Sequence, residues 1–306
     1  MKIKPHIAVV GGANIDLTAV PKDKYVPRDS CPGSILRSYG GVGRNIAHNL
    51  ALLGCEVSLV TVFGDDDFAL GLKKDCERIG IDIQASDTIP GRESSIYLSI
   101  NDENGDMVSA ISAMDITDCI TPEYVSSHIE MLNTCDAVVV ETNLPSETIA
   151  YILDNCKVPV FADTVSTAKS HRIFDILDGK RRIHTLKMNR IEALELTGAD
   201  ASKLEDFEEA AEKLHLKGIE RMFITLGSQG FYYHDKNGGR LVPSEKVPVV
   251  NTCGAGDSFL SGAVFAFCKG LNTDKIIQCA LRASAITVQC SEAVNPNINE
   301  KYLLNE

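Results

Sequence analysis

Short apolar runs alternate with amphipathic segments along most of the chain, and this alternation constrains the fold more than any other feature. Runs with the length of buried strands occupy residues 7–10, 57–62, 137–140, 158–162, 184–188 and 221–225. Shorter strands are predicted at 81–84, 231–234 and 240–242. Helices are predicted for a segment ending at Leu53 and for 68–79, 122–133, 146–155, 205–217, 257–268 and 274–290. Repeated strand–helix units predict an α/β fold, a three-layer α/β/α sandwich around a mostly parallel central sheet.

Two segments interrupt this alternation. Residues 94–101 and 107–113 flank Asp-Glu-Asn-Gly-Asp, which is a strong hairpin signal. Residues 17–38 contain three prolines and favour short strands and turns outside the main sheet. We therefore predict a small β lid from residues 17–38 and 91–113, attached to a core formed by 1–16, 39–90 and 114–306.

Composition excludes several classes of function. The 306 residues carry a formal net charge of −12, which argues against nonspecific binding to nucleic acid or to anionic membranes. Ten cysteines occur without a Cys-x-x-Cys pair, and several lie within apolar segments, so buried reduced thiols are expected. The apolar run after Met1 is too short for a signal peptide and no stretch approaches a membrane span. A cytoplasmic location is expected.

The segment Asn251-Thr-Cys-Gly-Ala-Gly-Asp257 carries the clearest chemical signal. Three small residues precede a carboxylate at the start of an apolar helix. Their backbone N–H groups can converge on one point, where the helix dipole adds positive charge, and such a nest suits a transferring phosphoryl group. The neighbouring carboxylate of Asp257 could accept a proton from an attacking hydroxyl. The alternative is a glycine turn before a buried helix, with Asp257 as a cap residue.

Further polar residues follow the predicted strands, at the sheet edge where open α/β folds bind ligands. Asn14 and Asp16 follow the first strand at alternate positions, where an extended chain points both the same way. Glu141 ends another strand, and the strand at 184–188 delivers Lys187 and Asn189. The segment Gly40-Gly-Val-Gly-Arg-Asn45 lets the backbone approach a ligand. It is not a dinucleotide fingerprint, because Ile46 replaces the third glycine, and the chain contains no P-loop motif.

Taken together, these segments resemble the ribokinase-like (PfkB) family of carbohydrate and nucleoside kinases over nearly the whole chain. The resemblance depends on Asn14 with Asp16, Gly40-Gly-x-Gly-x-Asn45, Asn189-x-x-Glu192, Thr225-Leu-Gly227 and Gly254-Ala-Gly-Asp257, in this order. Four finer segments resemble the pseudouridine-kinase subgroup: 40–50 with Arg44, 112–115, 163–166 and 184–192.

The resemblance implies that ATP phosphorylates the 5′-hydroxyl of a ribosyl substrate, pseudouridine in the subgroup. It implies Asp257 as the base, with the backbone amides of Gly254, Ala255 and Gly256 holding the γ-phosphoryl oxygens. The implied substrate-binding residues are Asn14, Asp16, Gly40, Gly41, Arg44, Asn45, Glu141 and Ser166. The implied ATP-binding residues are Lys187, Asn189, Thr225, Gly227, Gly230 and Gly256. Glu192 would organise Mg²⁺, through water. Exposed lid edges and family likeness together predict a homodimer formed through the lid.

Two departures from the family pattern affect cation binding and redox chemistry. Many relatives have Asp where this chain has Asn251, and Thr where it has Cys253. An amide binds a cation more weakly than a carboxylate, so K⁺ dependence is left open. Cys253, beside an anion nest, is either a redox-sensitive thiol or a packing residue.

Three alternatives remain open at this point. One is another ribokinase-like kinase for ribose or adenosine, and another is a nucleoside sensor without turnover. The third, a nicotinamide-dependent oxidoreductase, is disfavoured by the missing fingerprint.

Overall fold

The computed structural model describes residues 4–199 and 204–305. Residues 1–3, 200–203 and 306 of the predicted core ranges lie outside the described residues. The strands are β1 His6–Val10, β2 Asn14–Pro21, β3 Gly33–Gly40, β4 Glu56–Val60, β5 Val62–Phe63, β6 Asp87–Thr88, β7 Ile96–Asn101, β8 Met107–Ala113, β9 Ala137–Glu141, β10 Val160–Asp163, β11 Thr185–Asn189, β12 Met222–Thr225, β13 Phe231–Asp235 and β14 Gly238–Val242.

The described α-helices are α1 Val42–Leu52, α2 Asp67–Ile79, α3 Pro122–Ser126, α4 Ile129–Leu132, α5 Ser146–Asn155, α6 Thr167–Phe174, α7 Arg190–Thr197, α8 Leu204–Leu216, α9 Ala255–Cys268, α10 Thr273–Thr287 and α11 Glu300–Leu304. Short 3₁₀ turns cover Asp115–Cys119 and Gly227–Gln229. No helix in the described ranges combines the length and apolar character that crossing a membrane requires.

The main sheet has eight strands in the order β14-β13-β12-β11-β10-β9-β1-β4. The strands from β4 across to β12 run parallel, while β13 and β14 pair antiparallel at one edge. Helices cover both faces, so the predicted three-layer α/β/α sandwich is confirmed. The carboxyl ends of the parallel strands meet at one edge, which is where this architecture places a ligand.

Burial on both faces explains why the central strands are continuously apolar. On β1, Ile7 and Val9 belong to the core beneath α1, α9 and α10, whereas Ala8 and Val10 belong to the core on the other side. Because successive side chains of a strand point to opposite faces, a strand covered on both sides has no polar alternate positions.

A separate four-stranded sheet has the order β3-β2-β7-β8, and we call it the lid sheet. Asn14 and Asp16 lie at the start of β2 in this sheet, not at the carboxyl end of β1. The expected position was therefore wrong by one strand. The chain leaves β1 at Gly11 and Gly12, and then pairs with β3 and β7.

Local sequence predicted some elements incorrectly. The expected helix at 122–133 is two short helices, because the hydroxyls of Ser126 and Ser127 bond to the carbonyls three residues earlier and compete with the helical pattern. The expected strand at 81–84 is a single bridge at Asp82. Helices α6 and α11 were not predicted, because they are short; in α6 only Ser170 and Ile173 are buried.

Candidate active site

The segment before α9 forms a turn that only glycine adopts easily. Gly254 has φ of 75°, and a Cβ there would overlap the carbonyl of Ala293. In the described part of the chain, the N–H groups of Gly254, Gly256 and Asp257 have no backbone or side-chain acceptor, whereas Ala255 donates to Thr252 at 3.3 Å. The free donors of this nest are therefore Gly254, Gly256 and Asp257, at the positive end of a 14-residue helix.

Lys187 lies directly against this nest. A Cβ on Gly256 would be 2.5 Å from Lys187 Nζ, so the glycine leaves room for the ammonium group beside the free amides. The Lys187 side chain is buried and pairs with Asp163, Nζ to Oδ2, at 3.0 Å. An anion at the helix terminus would contact both backbone donors and a fixed positive charge.

Asp257 is buried in the first turn of α9 and contacts the glycine-rich segment. Its Oδ2 accepts a hydrogen bond from Asn45 Nδ2 at 2.9 Å. The backbone N–H of Asn45 donates to the carbonyl of Gly41 at 2.7 Å, and Gly41 abuts Asn14 so closely that a Cβ would lie 3.0 Å from the Asn14 nitrogen. The carboxylate is thus connected, contact by contact, to the start of the lid sheet.

The environment of Asp257 gives it the pKa of a base that works near neutrality. Burial raises its pKa to about 7, and the nearby carboxylates of Asp163 and Glu141 act in the same direction. The hydrogen bond from Asn45 and the charge of Lys187 oppose the shift. A carboxylate tuned in this way can take up a proton and release it again at physiological pH.

Three ionisable side chains line up at the carboxyl edge of the sheet. Asp163 pairs in register with both Glu141 and Lys187 on neighbouring parallel strands, so all three point to the same face. Burial disfavours the charge on Lys187, but attraction to Asp163, Asp257 and Glu192 outweighs it and raises its pKa. Lys187 therefore stays an ammonium beside the nest.

Asn14 and Asp16 form a polar pair on the lid sheet. Asn14 Nδ2 donates to Asp16 Oδ1 at 2.6 Å, and a Cβ on Gly40 would overlap the carboxyl group of Asp16. Gly41 has φ of 97° and would meet Gly12 O at 2.5 Å if it carried a Cβ. An amide next to a carboxylate offers one donor and several acceptors, a combination suited to neighbouring hydroxyl groups.

Two of the expected substrate contacts, Arg44 and Glu141, have side chains that bond to other parts of the protein. Arg44 donates to Tyr39 O at 2.7 Å and forms a buried ion pair with Asp75 at 2.5 Å, so its guanidinium links α1 to α2. Glu141 is completely buried and accepts the backbone N–H groups of Gly12 and Asn143. Ser166 begins α6 without a capping hydrogen bond from its side chain. Their substrate-binding roles stay predictions.

The predicted nucleotide side of the site lies at the ends of β11 and β12. Asn189 and Thr225 are paired in register there, and Gly227 and Gly230 follow with positive φ. Asn189 and Glu192 form a capping box at the start of α7. The Glu192 carboxylate accepts hydrogen bonds from the Asn189 backbone and side chain and from Thr164 Oγ1.

The hydrogen bonds to the Glu192 carboxylate determine whether this residue could bind Mg²⁺ directly or only through water. No group of three His, Cys, Asp or Glu side chains in the described ranges has metal-binding geometry. Glu192 is buried with three protein donors on its carboxylate, so it fits Mg²⁺ through an intervening water and not as a direct ligand.

Sequence reasoning assigned no role to Asp163, which is almost wholly buried and holds Lys187 in place. The next residues are also unusual, because Val165 has φ of 58°, a left-handed conformation rare for a β-branched residue. Its N–H bonds to Asp163 Oδ1 at 2.8 Å, and this contact turns the carboxylate toward Lys187. The available signal was a carboxylate at a strand end, next to a strand that delivers a lysine.

The residues that depart from the family pattern are tied to each other and to a nearby loop. Asn251 accepts the backbone N–H of Cys253 at 3.0 Å and donates to the carbonyl of Ser291 at 2.9 Å. These contacts leave the K⁺ dependence open, and they leave both alternatives for Cys253, a redox-sensitive thiol and a packing residue, although its side chain is exposed.

Comparisons with known proteins agree with this geometry. The model of the pfkB family of carbohydrate kinases matches residues 4–300. Pseudouridine kinase of Escherichia coli K12 is 36% identical over 302 residues, covering 98% of this chain and 95% of that protein. A carbohydrate kinase from Agrobacterium tumefaciens superposes with a TM-score of 0.85 at 26% identity, covering 98% of this chain and 96% of that one. A ribokinase from Arabidopsis thaliana shares the fold, with a TM-score of 0.86 at 21% identity and coverage of 99% and 98%. The chain therefore belongs to the pfkB family of carbohydrate kinases, which transfer a phosphoryl group to an alcohol.

Proposed function

We propose that this chain is a nucleoside kinase that phosphorylates the 5′-hydroxyl of pseudouridine, with ATP as phosphoryl donor. The observation that carries the chemistry is the contact of Asp257 with Asn45 at the mouth of an amide nest. The choice of pseudouridine rests on the 36% identical relative of that activity, which matches along nearly the whole chain. Ribose and adenosine are the alternative substrates within the family.

The proposed mechanism uses charges that are already in place. Asp16 and Asn14 bind the ribose hydroxyls and orient the 5′-hydroxyl toward Asp257. Asp257 removes its proton as the oxygen attacks the γ-phosphorus, while the bond from that phosphorus to the β–γ bridging oxygen breaks and ADP leaves. The free amides of Gly254, Gly256 and Asp257, together with Lys187, stabilise the negative charge on the γ-phosphoryl oxygens. Glu192 would hold Mg²⁺ through a water molecule, and the bound ion would supply positive charge that neutralises the ATP phosphates.

A substrate panel tests the proposed specificity. With ATP and Mg²⁺, we expect kcat/KM for pseudouridine to exceed that for ribose, adenosine and uridine by at least about 100-fold, because unpaired polar groups in a site reject analogues strongly. Uridine is the matched control, because it differs only in how the base is joined to the ribose. If the enzyme prefers ribose or adenosine, the assignment to pseudouridine is wrong, but the proposal that the chain is a kinase still holds.

The pKa of Asp257 predicts the pH dependence. Its carboxyl group must be ionised to accept a proton, so kcat/KM should fall below a pH of about 7 and level off above it. The Asn45→Ala variant removes a hydrogen bond that favours the ionised form of Asp257, so the pKa of Asp257 should rise. The pH at which kcat/KM falls should therefore be higher in the variant. The measurement is the profile of kcat/KM against pH for both proteins. If kcat/KM falls at the same pH in the variant as in the unmodified protein, the pH dependence belongs to a group other than Asp257.

We also propose that the lid sheet closes over the sugar and joins two subunits. Register places Ile35, Leu17, Leu98 and Ile111 on one face, and Asn14 with Asp16 on the other. Ile35 and Ile111 are more than 60% exposed, on edge strands. Leu17 on this face already packs against the core cluster around Ile15 and Leu72, so the uncovered part is the far end with Ile35 and Ile111. A second lid sheet would cover that apolar end and its open edges.

The dimer prediction has a direct test. We expect the protein to sediment at twice the monomer mass, and Ile111→Glu to shift it to the monomer, because a charge would be buried at the interface. Asn104→Glu, at the exposed hairpin tip, adds the same charge as a control and should stay dimeric. A monomeric unmodified protein, or a dimeric Ile111→Glu variant, would contradict this interface.

A further inference from the structure

A second cavity lies at the opposite edge of the main sheet from Asp257. Its volume is about 410 Å³, within the range of small-molecule sites. Arg182 and His184 line it just before β11 begins, and Arg221 lines it just before β12. Because the parallel strands carry the proposed active site at their carboxyl ends, this cavity at their amino ends belongs to a different surface.

The lining is unusually basic for an acidic protein. Arg182, Arg221 and Lys236 contribute three permanent positive charges, against two carboxylates. The whole chain has a net charge of −12. None of these three cations forms a hydrogen bond or ion pair through its side chain with a described residue. The local field therefore favours an anion where the rest of the surface does not.

Arg221 has donors that lack acceptors. Its Nε and Nη1 are buried and have no hydrogen-bond partner in the described part of the chain. The charge of Arg221 helps to lower the pKa of Asp235, but the oxygens of that carboxylate accept other donors: Oδ2 accepts the Tyr233 hydroxyl at 2.7 Å and Oδ1 accepts the Asn237 N–H at 2.8 Å. Buried guanidinium donors without a protein acceptor are rare, and an ordered water or a bound group has to satisfy them.

Two histidines, His184 and His215, also line the cavity. His215 is fixed by contacts with the Ile219 carbonyl at 2.7 Å and with His234 at 2.8 Å. Burial and the charge of Arg221 lower the pKa of His184 to about 4, so this ring is neutral at physiological pH and offers hydrogen bonds without charge. The positive charge of the cavity therefore comes from its arginines and lysine.

We propose that this cavity binds a small organic phosphate, with Arg221 and Arg182 holding the phosphate group. A guanidinium that no protein acceptor engages, next to the exposed Arg182, can donate charge-assisted hydrogen bonds to phosphate oxygens. The volume exceeds what a phosphate ion fills, so the remaining space takes the organic part of a metabolite the size of a sugar phosphate. The site is independent of the proposed kinase chemistry.

Calorimetry with ribose 5-phosphate as the probe tests the proposal. We expect two sites per chain, one at the nest before α9 and one in the cavity. Arg221→Met and Arg182→Met should each weaken the cavity site at least tenfold. Arg182 is exposed, so its replacement carries little risk of misfolding. Lys180→Met, an exposed change nearby, is the matched control and should leave both sites unchanged.

The other outcomes would overturn the proposal in distinct ways. A single site per chain, removed by Lys187→Met and not by Arg221→Met, would mean that only the nest binds phosphate. If the cavity binds inorganic phosphate as tightly as ribose 5-phosphate, the organic part of the ligand contributes nothing, and the proposal of an organic phosphate is wrong. Equal affinity for succinate would show that the cavity does not distinguish a phosphate from carboxylates. Crystals soaked in sodium tungstate should show the heavy atom at Arg221, and its absence there would contradict the site.

Discussion

Replacing Asp257 by Asn should lower kcat about 1000-fold while the dissociation constant of the nucleoside changes little. The amide keeps the size of the side chain but cannot accept the proton of the 5′-hydroxyl, and general base catalysis contributes roughly 10²–10⁴-fold. Steady-state kinetics gives kcat, and calorimetry with the nucleoside alone gives the affinity. The two readouts separate a loss of chemistry from a loss of binding.

A matched change elsewhere controls for the loss of one charge. Asp274→Asn removes an exposed carboxylate that pairs with Arg240 on the surface, and we expect unchanged kcat. Unaltered turnover in Asp257→Asn would remove its role as base. It would also revive the alternative in which the residue only caps α9. If the unmodified protein binds the nucleoside but shows no turnover, the alternative of a nucleoside sensor is favoured.

The second large effect concerns the buried pair of Lys187 and Asp163. Lys187→Met should lower kcat by about 100-fold, because a fixed positive charge beside the phosphoryl group is lost. It should also lower the free energy of unfolding by about 3–5 kcal/mol, because Asp163 is left buried without its ion-pair partner. Denaturant unfolding and steady-state kinetics measure the two losses.

Combining Lys187→Met with Asp163→Asn separates the two roles of the lysine. The double variant also removes the carboxylate that Lys187 contacts directly, so most of the lost stability should return while kcat stays low. Recovery of kcat along with stability would mean that Lys187 serves only to neutralise Asp163. Lys213→Met breaks a surface pair with Glu209 and a hydrogen bond to the Thr197 carbonyl, and should change stability by about 1 kcal/mol, well below the loss in Lys187→Met.

Local sequence predicted the parts of this protein that depend on local chemistry. The strand HIAVV is buried on both faces and therefore shows an unbroken apolar run. Gly254 and Gly41 adopt backbone angles that other residues avoid, so the glycine motifs were visible before any contact was known. The same motif predicted a helix that opens at Asp257, and α9 begins two residues earlier, at Ala255.

Local sequence did not predict the contacts between segments that are far apart in the chain. The ion-pair partner of Arg44 is Asp75 on α2, 31 positions away, and the sequence alone placed Arg44 near the substrate. The pairing of Asp163 with Lys187 depends on β10 and β11 being neighbours in register. The left-handed Val165 has no sequence signal, because β-branched residues seldom adopt that conformation.

A crystal structure with pseudouridine, Mg²⁺ and a non-hydrolysable ATP analogue tests the central claim most directly. We predict that the 5′-oxygen lies about 3 Å from the Asp257 carboxylate, and that the γ-phosphoryl oxygens accept hydrogen bonds from the amides of Gly256 and Asp257. A γ-phosphate bound away from the start of α9, or a 5′-oxygen beyond reach of Asp257, would contradict the proposed chemistry.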